Sequence, residues 1–412
     1  MTERPTSEER RNLVVLCSAQ LLALAGMTSL LPLLPLYLQE IGVSDPAQLR
    51  YWTGVLGAAP FAIAVFVTPL WGALADRVGH KPMVVRSVAG IAATAIGMGL
   101  ARSPVALLGW RGFQGAVSGV FPAAVALLTS WTPEARVGRA LAVLHSARAA
   151  GALSGPLIGG LLADLFGIRA LFFGVGAVVA ASALCCALLL REGGESARRT
   201  TAVGVPAERP PRWRDLLADP LVLRTLVSIA AFQAMVMASW PTLALYVAEF
   251  GVGRQALATT TGLVIFAAGL PTLLLATSWA GIARRFSAPR VFAWALLASG
   301  LGSFAVGALS ERLWTLVALR MLAGAAMAGV VPLAFQQIGA RAPEGARGRM
   351  AGIGSTAMLA GNVVGPLAGG WIAVHVSLAA TFWIPGLAVA AVGAAVTAAV
   401  AAGPALRGGR PE

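Results

Sequence analysis

Apolar residues come in twelve long runs along this chain, and short polar or charged segments separate them. A bilayer core ~30 Å thick needs roughly 20 apolar residues for one spanning helix, whereas a barrel strand needs only about 10. The runs reach helix length, and a helix satisfies its own backbone in lipid, so the pattern predicts spanning α-helices. We number these spans 1 to 12 in chain order; they lie near residues 13–38, 52–74, 83–101, 105–130, 140–163, 168–190, 221–248, 256–282, 290–309, 313–338, 349–374 and 379–402.

The composition supports this prediction and excludes a soluble enzyme. Only 12% of residues are charged and 58% are hydrophobic, with a mean hydropathy of +0.78, whereas soluble domains carry about 25% charged residues. The first run is longer than the 7–15 residues of a signal-peptide core, so no cleavable signal is expected. Cys17, Cys185 and Cys186 lie in apolar spans without metal-ligand spacing, which indicates buried packing. We expect no cofactor and no metal.

The net charge of +14 indicates orientation in a membrane and not a nucleic-acid partner. With the N-terminus inside, cytoplasmic segments hold 23 of the 31 Lys and Arg residues, and the opposite face holds five. This bias over short loops is the positive-inside rule. It predicts a multi-pass protein of the plasma (cell inner) membrane with both termini cytoplasmic.

The two halves of the chain align with each other at an offset of 208–210 residues. Matched positions include Pro32 with Pro241, Trp71 with Trp279, and Arg111 with Arg320. Six spans per half, both starting inside, make a parallel repeat about an axis along the membrane normal, with a substrate site near mid-membrane. We therefore predict an all-α membrane protein of two pseudo-symmetric six-helix bundles, 1–190 and 221–412, joined by a cytoplasmic linker, 191–220.

A glycine-rich pattern in span 5 returns in span 11. Gly151-Ala-Leu-Ser-Gly155-Pro156-Leu-Ile-Gly159-Gly160 corresponds to a second copy that contains Gly365 and Pro366. Glycines four residues apart share one helical face and let another helix approach closely, and the proline removes a backbone donor and bends the helix. The pattern predicts a hinge or seal between the two halves; helix packing alone is the alternative.

The connection between spans 2 and 3 reads Gly72-Ala-Leu-Ala-Asp76-Arg77-Val-Gly79-His80-Lys81. Glycines favour a tight turn, and charges at helix ends interact with the helix dipoles. These residues resemble the loop signature of the major facilitator superfamily, with His80 as the one departure. The second half has lost the acidic residue, so the resemblance implies that only Asp76 and Arg77 act as a charge latch.

Two further motifs narrow the resemblance to one branch of the superfamily. Arg111-Gly-Phe-Gln114-Gly115 resembles the superfamily's span 4 motif, and the glycine pattern of span 5 resembles the motif of its exporting members. The chain is similar to the twelve-helix drug:proton antiporters of the multidrug efflux branch. The resemblance implies that span 5 packs against a span of the other half, and that Arg111 serves proton coupling. A structural role for Arg111 is the alternative, because an intramembrane arginine needs a cavity or a partner.

His145 and Arg148 lie one turn apart in the inner part of span 5. Arg148 shares the face of the glycines, and it either snorkels to the surface or faces the cavity as a substrate or proton group. His145 is a candidate proton carrier because a histidine can titrate near neutral pH. Acidic residues are absent from the middle of the spans, with Asp76 assigned to a loop and Glu40, Asp164 and Glu249 to outer helix ends. Without a buried anion, neutral or anionic amphipathic substrates are expected.

The resemblance also implies which side chains line the cavity, because spans 1, 4, 7 and 10 line it in the family. Methionines, aromatics and amides on these spans suit an adaptable, mostly apolar pocket, and core or lipid-facing packing is the alternative for each of them. The candidates are Met27, Ser29, Gln114, Phe121, Gln233, Met237, Trp240 and Gln336.

The sequence thus predicts a proton-coupled antiporter that exports small amphipathic compounds by alternating access. Its expected partners are a small-molecule substrate, protons and the lipid bilayer, and a monomer is expected. The alternative is an uptake symporter of the same fold for a nutrient or organic acid. A lipid-modifying enzyme would need clustered acidic residues such as Asp-x-x-Asp near the membrane face, and the sequence has none.

Overall fold

The computed structural model describes residues 6–191, 219–342 and 347–402. These residues form sixteen α-helices joined by short connections. We label them α1 to α16 in chain order: Ser7–Leu30, Leu34–Glu40, Pro46–Val78, His80–Leu100, Pro104–Ala116, Val120–Trp131, Glu134–Phe166, Ile168–Leu189, Pro220–Ser239, Leu243–Ala248, Leu257–Phe286, Ala288–Leu309, Leu313–Met327, Val330–Ala340, Arg347–His375 and Ala380–Ala402.

Twelve helical segments in the described residues are long and apolar enough to cross a membrane, which confirms the number of spans and the all-α fold class. Several helices run further than their apolar runs. Helix α7 extends over Glu134–Phe166, against the predicted 140–163. Its first turn carries Glu134, and a carboxylate is stabilised there by the exposed amides of the helix N-terminus. Polar helix ends therefore lie beyond the apolar stretch that a sequence pattern detects.

Spans 1, 4, 7 and 10 each consist of two helices with a break between them, although the apolar pattern predicted one continuous helix for each span. A short 3₁₀ turn that contains Pro32 separates α1 from α2, and Pro241 lies between α9 and α10. These prolines lack the N–H that a continuous helix would use. Residues 117–119 separate α5 from α6, and residues 328–329 separate α13 from α14. The four interruptions occur at matching places in the two halves.

The connection between spans 2 and 3 is shorter than predicted. Helix α3 ends at Val78 and α4 begins at His80, so Gly79 alone joins them, with φ at +94°. This left-handed conformation explains why a glycine stands there. The structure corrects the placement of Asp76, which lies in the last turn of α3 and not in a loop. Arg86 lies inside α4.

Backbone contacts divide the chain into two compact units. The first takes in the described residues of 1–44, 59–206 and 253–263, and the second those of 45–58, 207–252 and 264–412. The core of the first unit is built around Leu16, Val84 and Leu144. That of the second is built around Ile229 and Phe292. The predicted bundle boundaries remain a prediction, and the linker 191–220 lies outside the described residues except at 191, 219 and 220.

Candidate transport site and its supporting helix contacts

The glycine face of α7 lies against the backbone of α1. A Cβ atom at Gly151 would collide with the carbonyl of Leu21, and one at Gly155 would collide with the carbonyl of Ala25. Gly159 meets the side chain of Ser29 in the same way. These glycines therefore allow close backbone approach within one half of the chain. The face of Gly151, Gly155 and Gly159 therefore does not form the predicted seam between the two halves, although α7 does meet α11, a helix of the second half of the sequence, at Gly160.

The second unit repeats this arrangement. Gly361, Gly365 and Gly369 of α15 lie against α9, where Cβ atoms would crowd Ala230, Ala234 and Ala238 respectively. The two copies of the pattern thus perform the same packing task, which accounts for their matching spacing.

The glycine that follows in each copy, Gly160 or Gly370, meets a helix other than α1 or α9. In the first unit, a Cβ at Gly160 would collide with the carbonyl of Ala258 at the start of α11. In the second, a Cβ at Gly54 of α3 would lie 2.6 Å from the carbonyl oxygen of Pro366 and 2.9 Å from Cα of Gly370. Each unit therefore contains a glycine-mediated crossing between one long helix and the first turns of another.

A polar side chain ties each of these crossings at its end. In the first unit, the Asp164 carboxylate accepts hydrogen bonds from the backbone N–H groups of Ala258, at 3.2 Å, and Thr259, at 2.7 Å. In the second, Nη1 of Arg50 donates to the carbonyl of Ala373 at 2.9 Å, near the end of α15. A carboxylate thus caps a helix N-terminus and a guanidinium caps a C-terminus, as the helix dipoles favour.

Replacing Asp164 by alanine is expected to destabilise the protein by about 0.5–2 kcal/mol, because two N–H groups at the start of α11 lose their acceptor. Asp164→Asn keeps an acceptor oxygen and should cost less. Thermal unfolding of purified protein in detergent measures both effects. Asp45→Ala is the matched control. Asp45 is also an acidic cap, but it is exposed and accepts from the N–H of Gln48 at the start of its own helix, at 2.7 Å, whereas Asp164 caps a different helix. Equal melting temperatures for Asp164→Ala and the native protein would contradict the assigned cap.

Arg111 and Gln114 form a buried pair in the last turns of α5. Their exposed fractions are 4% and 3%, and Nη1 of Arg111 donates to Oε1 of Gln114 at 2.5 Å. The repeat mate Arg320 lies over the ring of Phe382 with its guanidinium carbon 5.5 Å from the centroid. Nε of Arg320 has no hydrogen-bond partner within the described part of the chain. The two related arginines therefore have different surroundings.

Arg148, Phe121 and His145 form a second cluster in the first unit. The guanidinium carbon of Arg148 lies 4.4 Å from the centroid of the Phe121 ring, in cation–π geometry. The His145 ring meets the same phenyl edge-on at 4.8 Å and is exposed, while Arg148 and Phe121 are half-buried. Phe121 thus holds a fixed cation and a titratable ring on one aromatic surface.

The four candidates of the second unit have different surroundings. Nε2 of Gln233 donates to Oδ1 of Asn362 at 2.7 Å, which links α9 to α15. Met237 is buried against Gly365, and Trp240 is half-buried at the end of α9. Gln336 is exposed, whereas its neighbour Gln337 is only 6% exposed. Nε2 of Gln337 lacks a hydrogen-bond partner among the described residues.

The remaining candidates of the first unit lie apart from these clusters. Ser29 is buried, and its hydroxyl donates to the carbonyl of Gly26 at 2.8 Å within α1. Met27 is half-buried and packs on the core of the unit. Arg77 is exposed in the last turn of α3. The Ser29 hydroxyl is thus satisfied within its own helix, and Met27 contributes to core packing.

Acidic residues of the described spans lie at helix ends. Glu8 and Glu134 are in first turns, Glu40 ends α2, and Asp164 lies near the end of α7. Glu249 lies just outside the spans, where burial raises the pKa of its carboxyl and the Arg50 guanidinium partly offsets the rise. The described mid-span residues therefore include cations and amides but no carboxylate, as the sequence indicated.

Sequence reasoning missed several residues that hold the helices of these sites. Arg50 and Asn362 were not singled out, and Asp164 was noted only as a charge at a helix end. Arg86, which was also not singled out, contacts the interruption of span 4. A signal was available for Arg86, since it stands within an apolar stretch while Trp294 or Ala295 occupies the matching place in the second half.

The fold and these contacts define the chain as a multi-pass helical membrane protein built from an internal repeat. The Major Facilitator Superfamily profile matches residues 16–270 and 236–411. The chain therefore belongs to the Major Facilitator Superfamily, a family of membrane transporters, and it is not an enzyme.

Relatives and solved structures agree with this assignment. The multidrug resistance protein MdtG of Proteus mirabilis (strain HI4320) is 30% identical over 376 residues, which cover 91% of this chain and 92% of MdtG. The uncharacterized MFS-type transporter YuxJ of Bacillus subtilis (strain 168) is 32% identical over 368 residues, 87% of this chain and 91% of YuxJ. The crystal structure of a D-xylose-proton symporter shares the fold with a TM-score of 0.76 at 13% identity, covering 95% and 97% of the two chains.

Proposed function

We propose that this transporter exports small amphipathic compounds by alternating access and that inward proton movement drives the export. Each inward proton supplies ~2.3 kcal/mol per 100 mV of membrane potential, plus the contribution of the pH gradient. In this scheme the chain works as an antiporter in the plasma (cell inner) membrane with both termini cytoplasmic.

The observation that carries this proposal is the repeated glycine–proline pattern and its packing. Gly155 and its repeat mate Gly365 each lie against the backbone of the first helix of their own half. The same pattern is the one that resembles exporting members of the superfamily. Relatives described as multidrug resistance proteins, aligned over most of the chain, support export as the direction.

Neutral or anionic compounds are the substrates that the polar groups favour. The polar groups within the described spans include the half-buried Arg148 on Phe121 and the amide of Gln233. A lipophilic cation would be repelled by the guanidinium of Arg148, and no described mid-span carboxylate would offset the positive charge of the cation. Removing two like charges from water together is costly. An aromatic anion, in contrast, finds a guanidinium and a phenyl ring side by side.

Proton coupling is assigned to three places in the first half. Arg111 is buried with Gln114, so a change of charge near it has a large electrostatic effect. His145 is exposed beside Arg148 and is able to exchange a proton with water. Asp76 and Arg77 close α3 next to Gly79, where a charge change acts on a one-residue turn. The three assignments make different mutational predictions.

Proteoliposomes with an imposed pH gradient test the proposal. Three dyes serve as probes: neutral phenylnaphthylamine, anionic anilinonaphthalene sulfonate and the permanent cation ethidium. We expect a dye-dependent pH change inside the vesicles for the first two, with protons and dye moving in opposite directions. Protein-free vesicles control for leak.

The outcomes separate the alternatives. Dye and protons moving in the same direction would support an uptake symporter instead. Robust proton-driven transport of ethidium would contradict the substrate class while leaving the antiport mechanism intact. A pH record unaffected by all three dyes would contradict the proposal as a whole.

A further inference from the structure

The interruption of span 4 leaves backbone carbonyls that the helices on either side do not satisfy. Helix α5 ends at Ala116, α6 begins at Val120, and Gly119 between them has φ at +113°. Ala116 loses the partner that a continuous helix would supply four residues later, and Pro122 has no N–H to offer the carbonyl of Ser118. Buried carbonyls of this kind need donors from elsewhere, because an unsatisfied group in a membrane is costly.

Helices α3 and α4 supply donors to these carbonyls, and α1 adds a hydrogen bond to the first residue of α6. Nε1 of Trp71, on α3, donates to the carbonyl of Ala116 at 2.6 Å. Nη2 of Arg86, on α4, donates to the carbonyl of Ser118 at 3.1 Å. On the third side, Nε2 of Gln20 on α1 donates to the carbonyl of Val120 at 3.2 Å. The interruption is therefore held by side chains from three different helices.

Arg86 and Trp71 also hold each other. The guanidinium carbon of Arg86 lies 3.4 Å from the centroid of the Trp71 ring, and Nη2 of Arg86 also donates to the hydroxyl of Ser87 at 2.7 Å. Nε and Nη1 of Arg86 are buried and lack hydrogen-bond partners among the described residues, which leaves the stacked Trp71 ring as a described neighbour of the cation. Such stacking suits the planar guanidinium and would be lost with lysine.

The second half retains only part of this arrangement. Nε1 of Trp279 donates to the carbonyl of Ala325 at 2.8 Å, and its ring covers Gly329 in the interruption between α13 and α14. The tryptophan contact is therefore common to both halves. The position that matches Arg86 holds Trp294 or Ala295, neither of which can supply a cation.

We infer that Arg86 is a positioning residue for the Arg111–Gln114 pair. Trp71 fixes the last residue of α5, and Arg86 fixes Ser118 two residues beyond it, so both tie the helix that carries the pair to the two helices that meet at Gly79. A movement of α3 against α4 at this one-residue turn would therefore shift the buried pair. The functional half of this inference depends on the proposed role of Arg111 in proton coupling.

Hydrogen exchange tests the structural half without any assumption about transport. The full chain in lipid nanodiscs is compared as native protein, Arg86→Gln and Trp71→Phe, after thermal unfolding has shown that each variant is folded. We expect the amides of Val117 and Ser118, which donate to the carbonyls of Phe113 and Gly115, to exchange about tenfold faster in both variants, the effect of one net hydrogen bond on local opening. Amides of 326–328 should not change, and Trp279→Phe should reverse this pattern. Unchanged exchange at Val117 and Ser118 in Arg86→Gln would overturn the inference.

The pH profile of transport tests the functional half. With phenylnaphthylamine as the probe in proteoliposomes, Arg86→Gln should shift the pH dependence of dye-linked proton movement toward that of Arg111→Gln. Arg86→Lys should restore only part of the native profile, since it keeps the charge without the planar stack. A native pH profile in Arg86→Gln would overturn the positioning role. If the native protein itself shows no proton coupling, the proposed function fails, while the exchange result still decides the structural contact.

Discussion

Replacing Gly155 by alanine is expected to abolish transport and to destabilise the fold by about 1–3 kcal/mol, the cost of overpacking in a close-packed interior. The added methyl group would collide with the carbonyl oxygen of Ala25 and the hydroxyl of Thr28, so α7 and α1 must separate to admit it. Backbone atoms cannot turn away as a flexible side chain does. Because Gly151 and Gly159 lie against the same helix, separation at one point disturbs the whole seam.

Gly174→Ala is the matched control for this prediction. Gly174 lies within neighbouring α8, and a Cβ atom there has no neighbour within 4 Å. Alanine is also the better helix former, by up to about 1 kcal/mol, so this variant should be as stable as the native protein or more so. Thermal unfolding and dye transport by vesicles measure both variants. A Gly155→Ala variant that unfolds and transports like Gly174→Ala would show that the seam tolerates a larger residue.

The number and type of spans were predictable because one physical length governs them. A helix must cross a bilayer core of ~30 Å, so each crossing requires a long apolar run in the sequence. The repeat was predictable for a similar reason, since matched residues such as Trp71 and Trp279 perform the same backbone contact in both halves. Pro32 and Pro241 are local signals for the interruptions of spans 1 and 7, because a proline lacks the N–H that a continuous helix needs.

The interruptions of spans 4 and 10 left weaker signals. Residues 117–119 contain no proline, and the break depends on donors from α3 and α4 that are distant in the sequence. Gly119 and Pro122 are compatible with a break, but glycine and proline also occur within continuous helices of this chain, as at Pro156 in α7. Tertiary hydrogen bonds decide between these outcomes, and a sequence pattern contains no record of them.

Side-chain direction was the least predictable property of the candidate site. Periodicity placed Gly151, Gly155 and Gly159 on one face, yet it did not say which helix the face meets, and the structure gives α1. Neighbouring residues on a helix point about 100° apart, so the choice of Gln336 over Gln337 selected the exposed amide and missed the buried one. Packing decides such choices, and in a membrane the apolar pattern is too uniform to indicate them.

The pair of Arg111 and Gln114 gives the second large prediction. Arg111→Ala is expected to reduce dye-linked proton movement by about a hundredfold, the lower end of what a positioned proton-transfer group contributes in enzymes. The substitution removes a buried charge and the donor to Oε1 of Gln114. His145→Ala should have a smaller effect, because the exposed ring contacts Phe121 only at its edge and water can replace it. Simultaneous recording of internal pH and dye fluorescence measures the coupling.

Arg320→Ala separates coupling from structure in this experiment. Arg320 is the repeat mate of Arg111, but its guanidinium lies over Phe382 and its Nε lacks a described hydrogen-bond partner. A purely structural role at this repeated position predicts equal losses of transport and of stability in the two variants. A role for Arg111 in coupling predicts instead that Arg111→Ala still binds dye, with its proton movement lost, while Arg320→Ala keeps the native ratio of protons to dye. If both Arg111→Ala and His145→Ala remain fully coupled, neither residue serves the proton, and the end of α3 at Asp76 becomes the site to test.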